Sequence, residues 1–175
     1  MPSDLSTNNT QIDSLQLLFR GPNFKAKLIE SANKDIKEFN RLLELCLGEG
    51  HQVAWRATWV LRGCLKKNDD RLRPHLLRII KSIEGKEDGH QRELLKIFEV
   101  FDLEEEFEGY LFDTCANIWE NIEKIPSTRI TAIKLMMKVA KKYPELQNDI
   151  QLFTTEEYLE SLSPGIKRSL LKSIH

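Results

Sequence analysis

The chain has 175 residues, 41% of them hydrophobic, which gives one ordinary domain with room for a core rather than two large ones. Low Gly (8) and Pro (6) exclude fibrous and disordered classes, and Lys+Arg 26 against Asp+Glu 27 leaves no whole-chain pull toward nucleic acid or anionic membranes. Cys46, Cys64 and Cys115 form no CxxC pair and point to a reducing cytoplasm; the opening MPSDLSTNNTQIDS lacks a leader pattern, and no apolar run approaches a membrane span.

Residues 1–10 read as disordered, and 11–34 as a degenerate capping hairpin, with helices over 12–19 and 24–32 around Gly21 and Pro22. After residue 35 the apolar residues recur at three and four, so the chain is all helix. Ile36, Phe39, Leu42, Leu43, Cys46 and Leu47 form one stripe. Gly48 and Gly50 are expected to end it through a left-handed cap, and the short turn forces the next helix, 51–68, to lie antiparallel. Helix 72–84, with Pro74 in its first turn, closes at 85–89 and is followed by 90–102. Residues 106–121 pair with 128–143, which Pro144 stops. The last hairpin has a weaker first helix over 145–162, broken near Thr154, where Thr154 and Glu157 have capping-box spacing; its second helix starts after Pro164. Second helices thus begin near 51, 90, 128 and 165, and this near-constant period predicts a solenoid of hairpins 35–68, 72–102, 106–143 and 145–175.

The Leu-rich first helices (FNRLLELCL, HLLRIIKSI, GYLFDTCANIW) and the second helices opening after a polar turn (VAWRATWVL, TRITAIKLMMKVA) make residues 35–175 similar to the HEAT and armadillo-like repeats. The Asp-Val-Arg opening usual in those families is missing, so the period carries the resemblance. It implies a right-handed α-α superhelix of about four to five antiparallel hairpins, with the second helices on the concave surface.

Charge separates along this layering. The second helices carry +4, -1, +5 and +3, together +11, and the remainder of the chain carries -12. A basic inner layer and an acidic outer layer would draw an anionic partner to one side; the competing reading is the ordinary preference of Lys and Arg for exposed, C-terminal helix positions. At 100° per residue Val53, Ala54, Ala57, Val60, Leu61, Cys64 and Leu65 share one arc of helix 51–68, and Trp55, Trp59, Arg62 and Lys66 fall opposite. Two tryptophans among cations suit a ligand groove, or they pack against 24–32, which a solenoid position favours. In 128–143 the apolar arc exceeds half the helix, leaving Lys134, Lys138, Lys141 and Lys142 as one basic strip on a helix wedged between neighbours.

No phosphate loop, nucleophile elbow or paired metal ligands occur, so neither catalytic residues, cofactor nor metal is expected. His51 and His90 recur at the start of second helices, which indicates a structural role. The leading expectation is a non-enzymatic, cytoplasmic protein-interaction scaffold whose partner is a protein or peptide with an acidic or mixed surface. The expected binding residues are Trp55, Trp59, Arg62, Lys66, Lys134, Lys138 and Lys141. The alternative is a nucleic-acid-binding repeat, with phosphates on Arg62, Lys66, Lys134, Lys138 and Lys141. Distantly, it would resemble the bacterial alkylpurine DNA glycosylases, although helix 51–68 places no carboxylate beside its tryptophans.

Overall fold

The computed structural model describes residues 19–49 and 51–174, and among them all regular structure is helical. The expectations for residues 1–10, for a helix over 12–18, for Gly50 and for the His51 side chain lie outside the described residues. The chain divides into two compact units, residues 1–66 and 67–175.

In the first unit α1 (Phe24–Lys34), α2 (Ile36–Leu47) and α3 (His51–Cys64) succeed one another with short turns. Helices α2 and α3 form the expected antiparallel hairpin, and α1 lies against both. Asp35 starts α2 by accepting the Lys37 N–H on its carboxylate at 2.8 Å. Phe39, Leu42, Leu43 and Cys46 of the predicted stripe are buried, as are Ala54, Ala57, Val60 and Leu61 of the facing helix, whereas Ile36, the first residue of α2, is 52% exposed and Leu47, its last, is half-buried. Gly63 allows the close crossing of α1: a Cβ there would lie 2.4 Å from Ile29 Cδ1. The left-handed cap expected at Gly48 is not formed, because its backbone is extended (φ -65, ψ 168) and the helix simply stops with the Gly48 N–H on the Leu45 carbonyl.

The second unit opens with a 3₁₀ turn (Arg73–His75) leading into α4 (Leu76–Ser82); α5 (Asp88–Leu95) tightens into 3₁₀ geometry over Lys96–Val100, and then come α6 (Glu105–Glu120) and α7 (Pro126–Ala140). A 3₁₀ turn (Pro144–Leu146), α8 (Gln147–Leu152), α9 (Glu156–Leu159) and α10 (Pro164–Ile174) complete it. First helices pack on first helices (α4 on α6) and second on second (α5 on α7), the stacking that a repeat period requires. Ile79, Ile80, Leu94, Leu95, Phe98, Leu111, Cys115, Trp119, Ile133 and Met136 fill the layers between.

Several boundaries differ from expectation. The helix expected over 72–84 is a 3₁₀ turn followed by α4 at Leu76–Ser82, and the one expected over 128–143 is α7 at Pro126–Ala140. Three further places differ. Helix α3 ends at Cys64 rather than 68, because Asn68 takes a left-handed φ of 53 and is tied across a repeat: its N–H donates to the Val100 carbonyl at 2.9 Å, and its side-chain amide pairs with the Asp102 N–H and carboxylate. Helix α5 begins two residues early, at Asp88. The break near Thr154 is present, but Thr154 does not cap α9; its hydroxyl donates back to the Ile150 and Gln151 carbonyls at the end of α8, and Thr155 occupies the N-cap of α9.

Candidate functional site

The sequence-predicted residues divide between the units: Trp55, Trp59, Arg62 and Lys66 lie in the first, and Lys134, Lys138 and Lys141 in the second. In the first unit Trp59 is 37% exposed, with its ring 6.1 Å from that of Phe24 and the Lys25 ammonium 3.6 Å above it. One face of this tryptophan is therefore covered from α1. Trp55 is half-buried, and its indole N–H is buried without a partner among the described residues.

In the second unit α7 is placed by its first turn. Pro126 occupies the first helical position, where no N–H is needed. The free N–H before it, on Ile125, donates to the Asp88 carboxylate at 2.6 Å, and Lys124 donates to the other oxygen at 2.8 Å. The Thr128 hydroxyl donates to the Asp88 carbonyl. A carboxylate from the preceding hairpin thus caps α7. Burial alone would raise the pKa of Asp88, but the Lys124 and Ile125 bonds outweigh it and hold the group below the usual carboxylate range.

The cations of α7 then part company by angle. Lys134 and Lys141 are about 20° apart around the helix, and Lys138 and Lys142 about 40° apart on the flank toward the preceding hairpin. Lys138 reaches the open end of the 3₁₀ turn after α5 and donates to the carbonyls of Phe98 (3.1 Å), Glu99 (3.4 Å) and Phe101 (2.6 Å). Its burial pulls the ammonium below its ordinary pKa. Lys142 pairs with Glu108, which also accepts the Tyr143 hydroxyl at 2.8 Å; that bond raises the tyrosine pKa to about 12. Arg129 is fully buried. It donates to the Trp119 and Tyr158 carbonyls at 2.8 Å and to the Ser161 hydroxyl, with its guanidinium 4.5 Å from the centre of the Trp119 ring.

Lys134 and Lys141 lie about 40° or more around the helix from Lys138, away from that flank. Between α7 and α10 runs a groove of about 640 Å³ floored by Ile130, Ile166 and Leu170, with Lys134 on its wall. A second hollow of about 120 Å³, lined by Met137, Ile150 and Lys141, shares Ser173 with the first, so the two adjoin along one face of α7. Lys134 and Lys141 are the only charged residues lining either hollow among the described residues. Both are exposed. The arrangement can seat apolar side chains and neutralise acidic ones at two points, and no metal-binding group of His, Cys, Asp or Glu is found among the described residues.

Sequence reasoning missed the groove floor and the cross-repeat clamps. The excess width of the apolar arc in 128–143 was the available signal for the floor, because more apolar surface was present than two neighbours cover. The clamps join residues 29 to 40 positions apart, and only the repeat period hints at such pairs.

Comparison with curated proteins and with solved structures gave no significant match. No described helix is long and apolar enough to cross a membrane. A family model for the HEAT repeat domain matches residues 21–174, nearly the whole chain. The chain belongs to the HEAT repeat family.

Proposed function

We propose that this chain is a non-enzymatic protein-interaction module that takes up a peptide, apolar on one side and acidic on the other, in the groove between α7 and α10. The observation that carries the reading is the combination of an apolar floor with Lys134 and Lys141 as its only charged lining residues among those described. The family supports it, since stacked hairpins commonly present an extended surface to protein partners. The two lysines are seven residues, or about 10 Å, apart along α7. A helical occupant therefore places acidic side chains seven residues apart, with Leu, Ile or Met between them entering the floor. Three buried free cysteines fit a reducing compartment such as the cytoplasm. The nucleic-acid alternative fares worse on the same residues: Lys138 is held by three carbonyls, and one face of Trp59 is occupied by Lys25.

The test is fluorescence anisotropy with three labelled ligands: an amphipathic helical peptide carrying Glu at positions seven apart, the same peptide with Lys there, and short duplex DNA. Saturable binding of the acidic peptide, weakened tenfold or more for the lysine peptide and absent for DNA near physiological salt, is the expected result. DNA binding with a steep salt dependence and no preference between peptides would replace this reading with the nucleic-acid one.

A further inference from the structure

Helix α6 carries on its outward side the pattern that the α7–α10 groove calls for. Glu106, Asp113 and Glu120 recur every seven residues, and with Tyr110 and Asn117 they fall within about 80° of arc around the helix. All five are exposed, Tyr110 at 45%. The opposite side of the helix is buried through Leu111, Cys115 and Trp119, so the stripe points to solvent. No other helix among the described residues has two exposed acidic residues seven apart. Glu106, Asp113 and Glu120 have no ion pair or side-chain hydrogen bond among the described residues, whereas the buried Glu108 is taken by Lys142. Lys81 reaches across from α4 to 5.7 Å from the centre of the Tyr110 ring, which offsets part of the stripe's charge and leaves it acidic.

The groove presents the counterpart. Lys134 and Lys141 are exposed, have no ion pair among the described residues, and stand beside the apolar floor with the same seven-residue spacing, about 10 Å along the helix. Glu106 and Asp113 can therefore meet both lysines at once. Tyr110 lies between those two acids along the stripe and takes the place of the aliphatic side chain, its ring on the floor and its hydroxyl at the wet rim. Stripe and groove cannot meet within one chain, because α6 packs on α7 through its buried side and so turns the stripe away from it. A net charge of -1 leaves almost no overall repulsion between two copies.

We propose that the occupant of the groove is a second copy of this chain, seated through Glu106, Tyr110 and Asp113 of its α6. This rests on the groove reading above and names its partner. Stripe and groove are different patches, so the contact is heterologous and adds copies head to tail. Exposed charge pairs orient a partner more than they hold it, and salt screens them, so the association is weak and falls as ionic strength rises.

The experiment is sedimentation velocity of the full chain over a concentration series at low and near-physiological salt. It is repeated for a groove variant (Lys134→Glu with Lys141→Glu), a stripe variant (Glu106→Lys with Asp113→Lys), their equimolar mixture, and the chain carrying all four changes. All four positions are exposed, and far-UV circular dichroism checks that each variant folds. The original chain should gain mass with concentration and lose it with salt or with excess acidic peptide. Either variant alone should associate at least tenfold more weakly. The mixture and the fourfold variant should recover association, because opposite charges again face each other across the contact. Association that survives in both separate variants, or that the fourfold variant fails to recover, would overturn the proposal. A chain that stays monomeric throughout yet binds the acidic peptide would overturn the self-association alone, and one that does neither would remove the groove reading as well.

Discussion

Arg129 and Lys138 carry charge that sequence counting assigns to a binding surface, yet each is spent on carbonyl oxygens inside the second unit. Arg129 joins the ends of α6 and α9, with no solvent exposure and with burial lowering its pKa. Replacing it by Met removes the charge but leaves two carbonyls unpaired, so Arg129→Met should cost about 2–4 kcal/mol, read as a lower denaturant midpoint at unchanged slope. Arg129→Lys should recover little of that loss, because an ammonium cannot span the three acceptors that the planar fork reaches. Lys138→Met should cost about 1–2 kcal/mol while leaving peptide affinity unchanged. Lys134→Ala should do the reverse, altering stability by no more than about 0.5 kcal/mol and weakening the acidic peptide several-fold. A titration and a denaturation curve on each variant separate the two roles.

At the scale of the elements, the start of α7 depends on Asp88 from the hairpin before it. Its folded pKa lies below the unfolded value of about 3.9, so its stabilisation is complete well above that pH and is lost as pH falls through the unfolded and then the folded value. Asp88→Asn keeps an oxygen for the Ile125 N–H but loses the charge. It should cost about 1 kcal/mol near pH 7 and flatten the acid limb of the stability–pH curve; an unchanged acid limb would show that other carboxylates govern it. Helix positions and the turn at residues 153–155 were legible because apolar spacing and Pro126, Pro144 and Pro164 record them locally. Helix ends were less so. Asn68 ends its segment through Val100 and Asp102, and Thr154 bonds backward rather than forward, choices fixed by partners that no local window contains. Within the strip of four lysines in 128–143, Lys138 reaches the preceding hairpin and Lys142 reaches α6, and Lys134 and Lys141 do neither, because a lysine stem is long enough that about 40° of rotation decides whether it meets a neighbouring helix end or open space.

For the whole molecule, the period was the most legible feature, because each hairpin must bury its face on the next and so repeats the same apolar pattern. Cross-repeat bonds keep that period: Trp119 donates to Phe153 at 2.7 Å, Asp88 holds Ile125, and Lys138 holds Phe101. The charge layering was legible only as a total. Arg129, Lys138 and Lys142 are consumed between hairpins, which leaves Lys134 and Lys141 beside the apolar floor. The most direct measurement of that claim is a charge exchange. The double variant Lys134→Glu with Lys141→Glu is titrated with the acidic peptide and with its lysine counterpart. The account predicts that the variant loses the acidic peptide by tenfold or more and gains the lysine peptide by a comparable factor. If both peptides bind the variant as they bind the original chain, the groove between α7 and α10 is not the binding surface.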